Sequence, residues 1–506
     1  MTRLATIYSR ATVGMDAPLV RVEVHIAGGL PGMTLVGMPD GAAREARDRV
    51  RAALQSSGFT IPPSRITINL APADLPKQRG GFDLAIALGV LQAADLMSFP
   101  AASFECLAEL GLDGRLRPVS GVLPAAMACA AAARQLIVAP DNLAEAQLAD
   151  EGPVRAAADL RALCATLSGE TPWPIAEACQ TPLPPRRYPD LADVRGQPQG
   201  RRALEIAAAG GHNLLLYGPP GSGKSMLAER LPGLLPPMAA HERLEVAMLQ
   251  SLSSGGFCPH TFGQRPYRQP HHSASAVALV GGGSIPRPGE ISLASRGVLC
   301  LDELPEFPRA ALEMLREPLE SGEVRLARAY RQVRYPARFQ LVATMNPCPC
   351  GYLGDTRRNC RCTVDQVQRY RQRLSGPLLD RIDMHLAVMR PDVRDVLSAP
   401  LGEPSTVVAQ RVQAAQARAL ARQGEINAQL PAAAMESMVP PDSPLSGLLV
   451  QAAERLQLSA RSLHRALRVA RTIADLAGRD ALDAADLAEA LSLRGLDRQM
   501  AGAAAG

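Results

Sequence analysis

A chain of 506 residues, 47% hydrophobic and 20% charged, carries apolar material for roughly two to four cored domains, which excludes a disordered or fibrous polypeptide. Its formal charge of +5 is too small to argue for a polyanionic partner by itself. No apolar run reaches membrane-spanning length and the opening MTRLATIYSRATVGMDAPLV has no apolar stretch of signal-peptide length, so a cytoplasmic protein without a membrane partner is expected.

In chain order, residues 1–168 alternate short apolar runs, such as ITINLA (Ile66–Ala71) and QLIVAP (Gln135–Pro140), with alanine-rich helical stretches such as AAREARDRVRAALQSSG. That alternation predicts an α/β domain. Residues 169–190 include ETPWPIAEACQTPLPPRRYPD, dense in proline, and read as a stiff linker. A middle region spans 191–391. The last, 392–498, is predicted to be mostly helical: in LSARSLHRALRVARTIADLAG, Ser459 is placed to cap a helix that Gly478 ends. The closing AGAAAG predicts a frayed tail. Only two lysines occur, Lys77 and Lys224, so each is expected where a compact ammonium is needed or by chance.

Within the middle region, HNLLLYGPPGSGKS (His212–Ser225) places an apolar strand before Gly-x-x-x-x-Gly-Lys-Ser and a helix start. Glycines in such a loop let backbone N–H groups converge on phosphates. Gly218, Pro219, Pro220, Gly221, Ser222, Gly223, Lys224, Ser225 and Met226 are the candidate nucleotide contacts, with Lys224 reaching the β- and γ-phosphates and Ser225 a Mg²⁺ ligand. GVLCLDELPEF (Gly297–Phe307) supplies a second strand and then two acids. Asp302 would hold Mg²⁺ through water and Glu303 would orient or deprotonate the attacking water. A third apolar strand, RFQLVATMN, ends at Asn346, placed for the γ-phosphate or that water. Three strands each ending in a phosphate-facing residue predict a parallel sheet with its site at the C-terminal edge.

These segments resemble Walker A, Walker B and sensor 1 of an AAA+ ATPase. The longer strings RPYRQPHHSASAVALVGGG, PGEISLASRGVLCLDELPEF, NPCPCG and LSGPLLDRID are similar to the magnesium-chelatase-like AAA+ proteins of bacteria, the ComM/YifB family, over nearly the whole chain. The resemblance implies an α/β fold with a Lon-protease-like domain (1–168), the linker (169–190), an AAA+ core (191–391) and a C-terminal helical lid (392–498). It implies ATP and Mg²⁺ as cofactors and a homo-oligomeric ring, most often a hexamer in related proteins. It also places an arginine finger at Arg381, directed at a neighbouring subunit, and a sensor 2 at Arg461, with Arg465 the alternative.

Between Walker B and sensor 1, EVRLARAYRQVRYPARF allows a β-hairpin bearing Arg325, Arg328, Arg331, Arg334 and Arg338. In the related clade this insertion enters the ring's pore, where arginines would grip DNA phosphates without reading sequence and Tyr330 would stack on a base; the other reading is an ordinary charged hairpin. RQPHHSASAVALVGGGSIPRPGE reads as a second mobile loop, with His271 and His272 contacting DNA or supporting the loop.

Cys348, Cys350, Cys360 and Cys362 follow sensor 1 as two Cys-x-Cys pairs, which in a reducing compartment favour a structural Zn²⁺ over a disulfide, with reduced thiols as the alternative. Arg357, Arg358 and Arg361 add positive charge to that lobe. The six other cysteines read as small core side chains. In the first region LPKQRGGFDLAIALGVL lacks a serine and RLRPVSGVLPAAMA has Ser120 but no lysine, so a Ser–Lys protease dyad is not expected. Lys77 is left with three readings: a DNA contact, a lock on the fold, or a surface residue. The function the resemblance implies is ATP-driven branch migration of joint DNA molecules in natural transformation or recombination. The alternative is a magnesium-chelatase-type ATPase subunit remodelling a protein partner, against which stands the Lon-like domain ahead of the ATPase.

Overall fold

The structure is a computed structural model that describes residues 3–75, 77, 80–149, 152–174, 188–283, 286–328, 331–391, 400–440, 442–456 and 458–496. Two sheets organise it. The first holds β1 (Arg3–Arg10), β2 (Leu19–Ala27), β3 (Gly32–Val36), β4 (Arg65–Ala71), β5 (Phe104–Leu107), β6 (Gln135–Val138) and β7 (Val154–Ala156), in the order β3-β4-β2-β1-β5-β6-β7. It is mixed: β2 runs antiparallel to β1 and β4, and the other pairs are parallel. Helix α1 (Asp40–Ser56) buries one stripe, whereas α2 (Asp83–Ala93) is buried nearly all round. Gly89 lets α2 approach the sheet, since a Cβ there would lie 2.6 Å from Val24 Cγ2. Helix α3 (Val122–Ala131) covers the far end of the sheet.

Lys77 is buried, so the surface reading is overturned. Its Nζ donates to Leu70 O at 2.5 Å and to Pro72 O, at the end of β4. Burial holds its pKa below the usual lysine value, and Asp74 opposes that shift. A buried ammonium persists only where acceptors replace its water, and here two backbone carbonyls do so. The lysine is therefore a lock on the chain's path.

The second sheet is wholly parallel and lies among helices. Its strands are β8 (Leu214–Tyr217), β9 (Tyr267–Arg268), β10 (Val298–Leu301), β13 (Gln340–Met345) and β14 (Met384–Ala387), in the order β9-β10-β13-β8-β14. Strands β8, β10 and β13 are buried at every residue, as expected where both faces are covered. Helix α4 (Pro198–Gly210) precedes β8, α5 (Lys224–Ala228) follows it, and α6 (Ala240–Leu252) leads toward the first sheet, where Ala247 joins the α3 cluster and Gly121 N donates to Ser251 O at 2.9 Å.

Inserted before β13 is the hairpin of β11 (Glu323–Arg328) and β12 (Arg331–Pro336). Arg325 stands opposite Arg334, and Arg328 opposite Arg331. Its period-two pattern gives it two characters. Val324, Val333 and Tyr335 are buried, while Arg325, Gln332 and Arg334 are exposed. Val333 and Tyr335 cluster with Leu249, Leu252, Val13 and Met15, and a Cβ on Gly14 would lie 2.7 Å from Val333 Cγ1. The hairpin is thus rooted against a loop of the first sheet. Tyr330 lies outside the described residues.

Helix α7 (Val364–Arg371) opens with a Thr363 capping box. Beyond it lie C-terminal helices that include α8 (Ser405–Gln423), α9 (Ala460–Leu476) and α10 (Ala484–Ser492), with α8 and α9 packed on α4. Ser459 caps α9, accepting from Ser462 N at 3.1 Å, and Gly478 at φ +78° follows its end. Thr472 of α9 meets His212 Nε2 at 2.7 Å, and Arg465 reaches Asp383 at 2.5 Å. Burial holds His212 down to about 4. Of the scattered cysteines, Cys106, Cys129, Cys164 and Cys300 are buried, but Cys258 is exposed, on a turn after Gly255 and Gly256. Cys179 lies outside the described residues. Trp173, expected in the linker, packs on Phe104 with ring centroids 6.1 Å apart.

Removing the Lys77 amine leaves the buried Leu70 carbonyl and the part-buried Pro72 carbonyl without their donor. Lys77→Met is expected to lower unfolding stability by about 1–3 kcal/mol in urea titrations. An unchanged midpoint, or DNA binding that alone changes, would refute the fold-lock reading.

Candidate nucleotide site

The C-terminal edge of the second sheet brings together residues that stand far apart in sequence. The loop after β8 is shaped by Gly221 at φ +73° and Gly223 at φ +94°. Gly218 is needed for space: a Cβ there would lie 2.0 Å from Val388 O. Lys224 Nζ donates to Gly218 O at 2.8 Å, Pro219 O at 3.0 Å and Asn346 Oδ1 at 3.2 Å. Burial lowers its pKa, and Asp302 and Glu303 counter that effect. Lys224, Asn346, Asp302 and Glu303 thus share one electrostatic neighbourhood.

Ser225 Oγ lies 3.2 Å from both carboxylate oxygens of Asp302. Thr344, on β13, donates its hydroxyl to Asp302 Oδ1 and accepts from Glu303 N at 3.1 Å. That second bond matters because Glu303 sits at φ +55°, a left-handed conformation costly for a residue with a Cβ. His272 Nδ1 lies 3.8 Å from Glu303 Oε2, and its ring is 4.1 Å from that of His271. His271 Nδ1 also lies 2.8 Å from Ser273 Oγ within its own loop.

Three further residues belong here that sequence reasoning missed. Thr344 is one. Gln197 donates to Ser222 O at 3.1 Å and Met389 O at 2.6 Å, pinning the phosphate loop to the end of β14. Arg390 donates to Pro220 O at 3.0 Å. The sequence signal for Thr344 is a hydroxyl among the apolar residues Leu341, Val342, Ala343 and Met345; Gln197 and Arg390 have none.

The transferred arginines are placed differently from one another. Arg381 is buried, with Nη1 on Pro377 O and Nη2 on Glu320 Oε1, each at 2.6 Å. Service to a neighbouring subunit requires it to leave Glu320. Arg465 is committed to Asp383, whereas Arg461 is exposed on the first turn of α9.

The four cysteines converge. Their Sγ atoms all lie within 4.8 Å of one another, with Cys348–Cys350 at 3.4 Å and Cys348–Cys360 and Cys350–Cys360 at 3.6 Å. A disulfide needs about 2.05 Å. A tetrahedral ion with Zn–S bonds of about 2.3 Å sets sulfur–sulfur edges of about 3.8 Å, so the donor set fits one such metal. Backbone N–H groups of Arg361 and Tyr352 hold the Cys350 thiol down to about 6. Where the first and middle regions meet, Ser120 lines a cleft of about 430 Å³ with Glu45, Arg49, Glu109 and Arg287, and no lysine lines it.

A five-stranded parallel sheet with a Gly-x-x-x-x-Gly-Lys-Ser loop, an Asp-Glu pair and an asparagine at one edge is the arrangement of the AAA+ class. Three family models match the chain: "Magnesium chelatase, subunit ChlI" over 190–396, "Subunit ChlI of Mg-chelatase" over 22–142, and "Magnesium chelatase, subunit ChlI C-terminal" over 402–494. It is 47% identical to YifB of Salmonella typhimurium over 500 residues and to competence protein ComM of Haemophilus influenzae over 501, covering 98% of each chain. YifB of Escherichia coli is also 47% identical. The chain belongs to the ComM/YifB family of magnesium-chelatase-like AAA+ ATPases, a class that implies ATP and Mg²⁺. No helix among the described residues is long and apolar enough to cross a membrane.

Thr344→Val keeps the side chain's shape and deletes the hydroxyl that holds Asp302 and Glu303. It is expected to lower kcat for ATP hydrolysis by ~10-fold or more with little change in nucleotide Kd. Steady-state hydrolysis beside a fluorescent-nucleotide titration checks this; an unchanged kcat removes Thr344 from the machinery.

Proposed function

We propose that the chain is the subunit of a cytoplasmic, ring-shaped DNA motor that uses ATP to drive branch migration of joint DNA molecules in natural transformation or recombination. One observation carries the DNA reading: Arg325 and Arg334 stand directly opposite each other on the exposed face of a hairpin inserted between Walker B and sensor 1. Like charges paired across strands destabilise a sheet, although Glu323, 3.6 Å from Arg325, offsets part of the repulsion. A polyanion is the partner that would turn this arrangement to advantage, through phosphate contacts that read no sequence. The printed name of the competence protein ComM, 47% identical, supports the same direction.

In this reading Lys224 and the loop from Gly218 to Met226 hold the ATP phosphates. Ser225 and Asp302 are the residues placed for Mg²⁺, which when bound offsets phosphate charge. Glu303 activates or orients water, Asn346 senses the γ-phosphate, and Arg381 swings from Glu320 to the adjoining subunit's nucleotide. Arg461 acts from the lid. Rings of six subunits are the working assembly, since a residue that serves a neighbour's site implies a closed heterologous contact. At the cysteine cluster, Cys348, Cys350, Cys360 and Cys362 hold one structural Zn²⁺. The first region, without a Ser–Lys dyad, acts as a non-proteolytic collar.

A magnesium-chelatase-type subunit acting on a protein partner is the second reading. It is favoured by the match of a model described as ChlI to residues 22–142, which weakens the argument from an extra N-terminal domain.

The deciding assay is branch migration of three-strand or forked DNA by the purified protein with ATP. Glu303→Gln and Lys224→Ala are expected to abolish strand exchange, and hydrolysis indifferent to forked DNA would sink the proposal. Arg325→Ala with Arg334→Ala should reduce the slope of log affinity against log salt by roughly 1 to 2. Porphyrin metallation that depends on the protein would instead favour the second reading.

A further inference from the structure

We propose that the cysteine cluster anchors a brace on the phosphate-binding loop, so that metal occupancy at the cluster sets nucleotide affinity. The inference rests on the reading that the four thiolates hold one Zn²⁺.

The segment between the two Cys-x-Cys pairs lies on the Walker A loop. Gly351, at φ +84°, presses its backbone on the ring of Pro220: a Cβ there would lie 2.7 Å from Cγ and 2.8 Å from Cδ of that proline. The carbonyl of the same proline accepts from Arg390 Nε at 3.0 Å. Arg390 is in turn held by the cysteine segment. Its guanidinium is 5.7 Å from the centroid of the Tyr352 ring and 3.6 Å from Asp355 Oδ2. The Asp355 side chain is only 1% exposed, and its Oδ2 has no hydrogen bond among the described residues, so Arg390 is the charge that offsets it. Tyr352 is fixed from its other end by Arg358, which donates to its hydroxyl at 2.9 Å.

Pro220 is therefore gripped at its ring and at its carbonyl by one short segment, one residue before Gly221 begins the phosphate cradle. That segment has little apolar content of its own: Leu353 and Gly354 are exposed. What closes its base is the cluster, with Cys348 buried and its carbonyl accepting from Gly351 N at 2.9 Å. A metal joining all four sulfurs removes the freedom of that closed loop, as cross-links do. With the base released, Gly351 and Arg390 hold Pro220 only part of the time, and apparent affinity falls by the fraction of time the cradle is formed. The cluster also leads into α7, which starts at Val364 and carries the chain toward Arg381, so the brace lies between the sensor asparagine and the arginine meant for a neighbour.

The test uses the full chain, its zinc content measured by mass spectrometry and its affinity for a fluorescent ATP analogue measured by titration. Zinc is then removed with a chelator and restored, with circular dichroism confirming that the chain stays folded. The expected result is about one zinc per chain, a Kd that rises ~10-fold on depletion and recovers on zinc addition, and a similar rise in Gly351→Ala with zinc retained. A chain purified without zinc overturns the metal reading. Full zinc with a Kd unchanged by its removal, or by Gly351→Ala, overturns the brace and leaves the metal reading standing.

Discussion

The carboxylate of Asp302 is the point on which the site depends. Ser225 reaches it from the phosphate loop and Thr344 from the neighbouring strand, and Thr344 also accepts from the amide of Glu303. A half-buried carboxylate at a strand end is tolerable only if donors replace its water, and here two hydroxyls do so. The register of the sheet makes this possible: Leu301 pairs with Ala343, so the residues that follow each strand emerge side by side. A slip of one residue would turn Thr344 to the opposite face and leave Glu303 without a partner for its left-handed backbone.

Around that point the chain is tied by charges drawn from distant segments. Asp383, two residues after Arg381, accepts from Asn213 N just before β8 and from Arg465 of helix α9. The carboxylate is held below the usual aspartate range because these positive and N–H partners outweigh its burial. Helix α9, the start of β8 and the segment after Arg381 are thus coupled through one buried anion. A shift of α9 would be felt at Arg381, whose carbonyl also accepts from Arg465 at 3.2 Å.

Much of this was legible in the sequence because it is local. The strands that carry the site are mostly apolar runs leading into the site loops, and both the P-loop and the Ser459 cap are short-range patterns. The cysteine convergence was signalled by two tight pairs. The rest depends on long-range geometry that periodicity does not encode. Thr344 looks like any β-branched strand residue until the register sets it beside Asp302. Arg381 carries no sign of Glu320, and Arg390 none of Pro220. Lys77 carries three readings in the sequence, and only the turn after β4, which folds two carbonyls onto its amine, decides among them. The hairpin was legible as a charged pair of strands; its apolar underside, carried by Val324, Val333 and Tyr335, shows only once the alternation is matched to the loop at Gly14.

That underside has a mechanical consequence. With Val333 seated where Gly14 leaves no room for a side chain, the root of the hairpin cannot slide independently of the first sheet. The hairpin root and that loop of the first sheet are therefore fitted as one piece, and a side chain added at Gly14 would have to push Val333 aside.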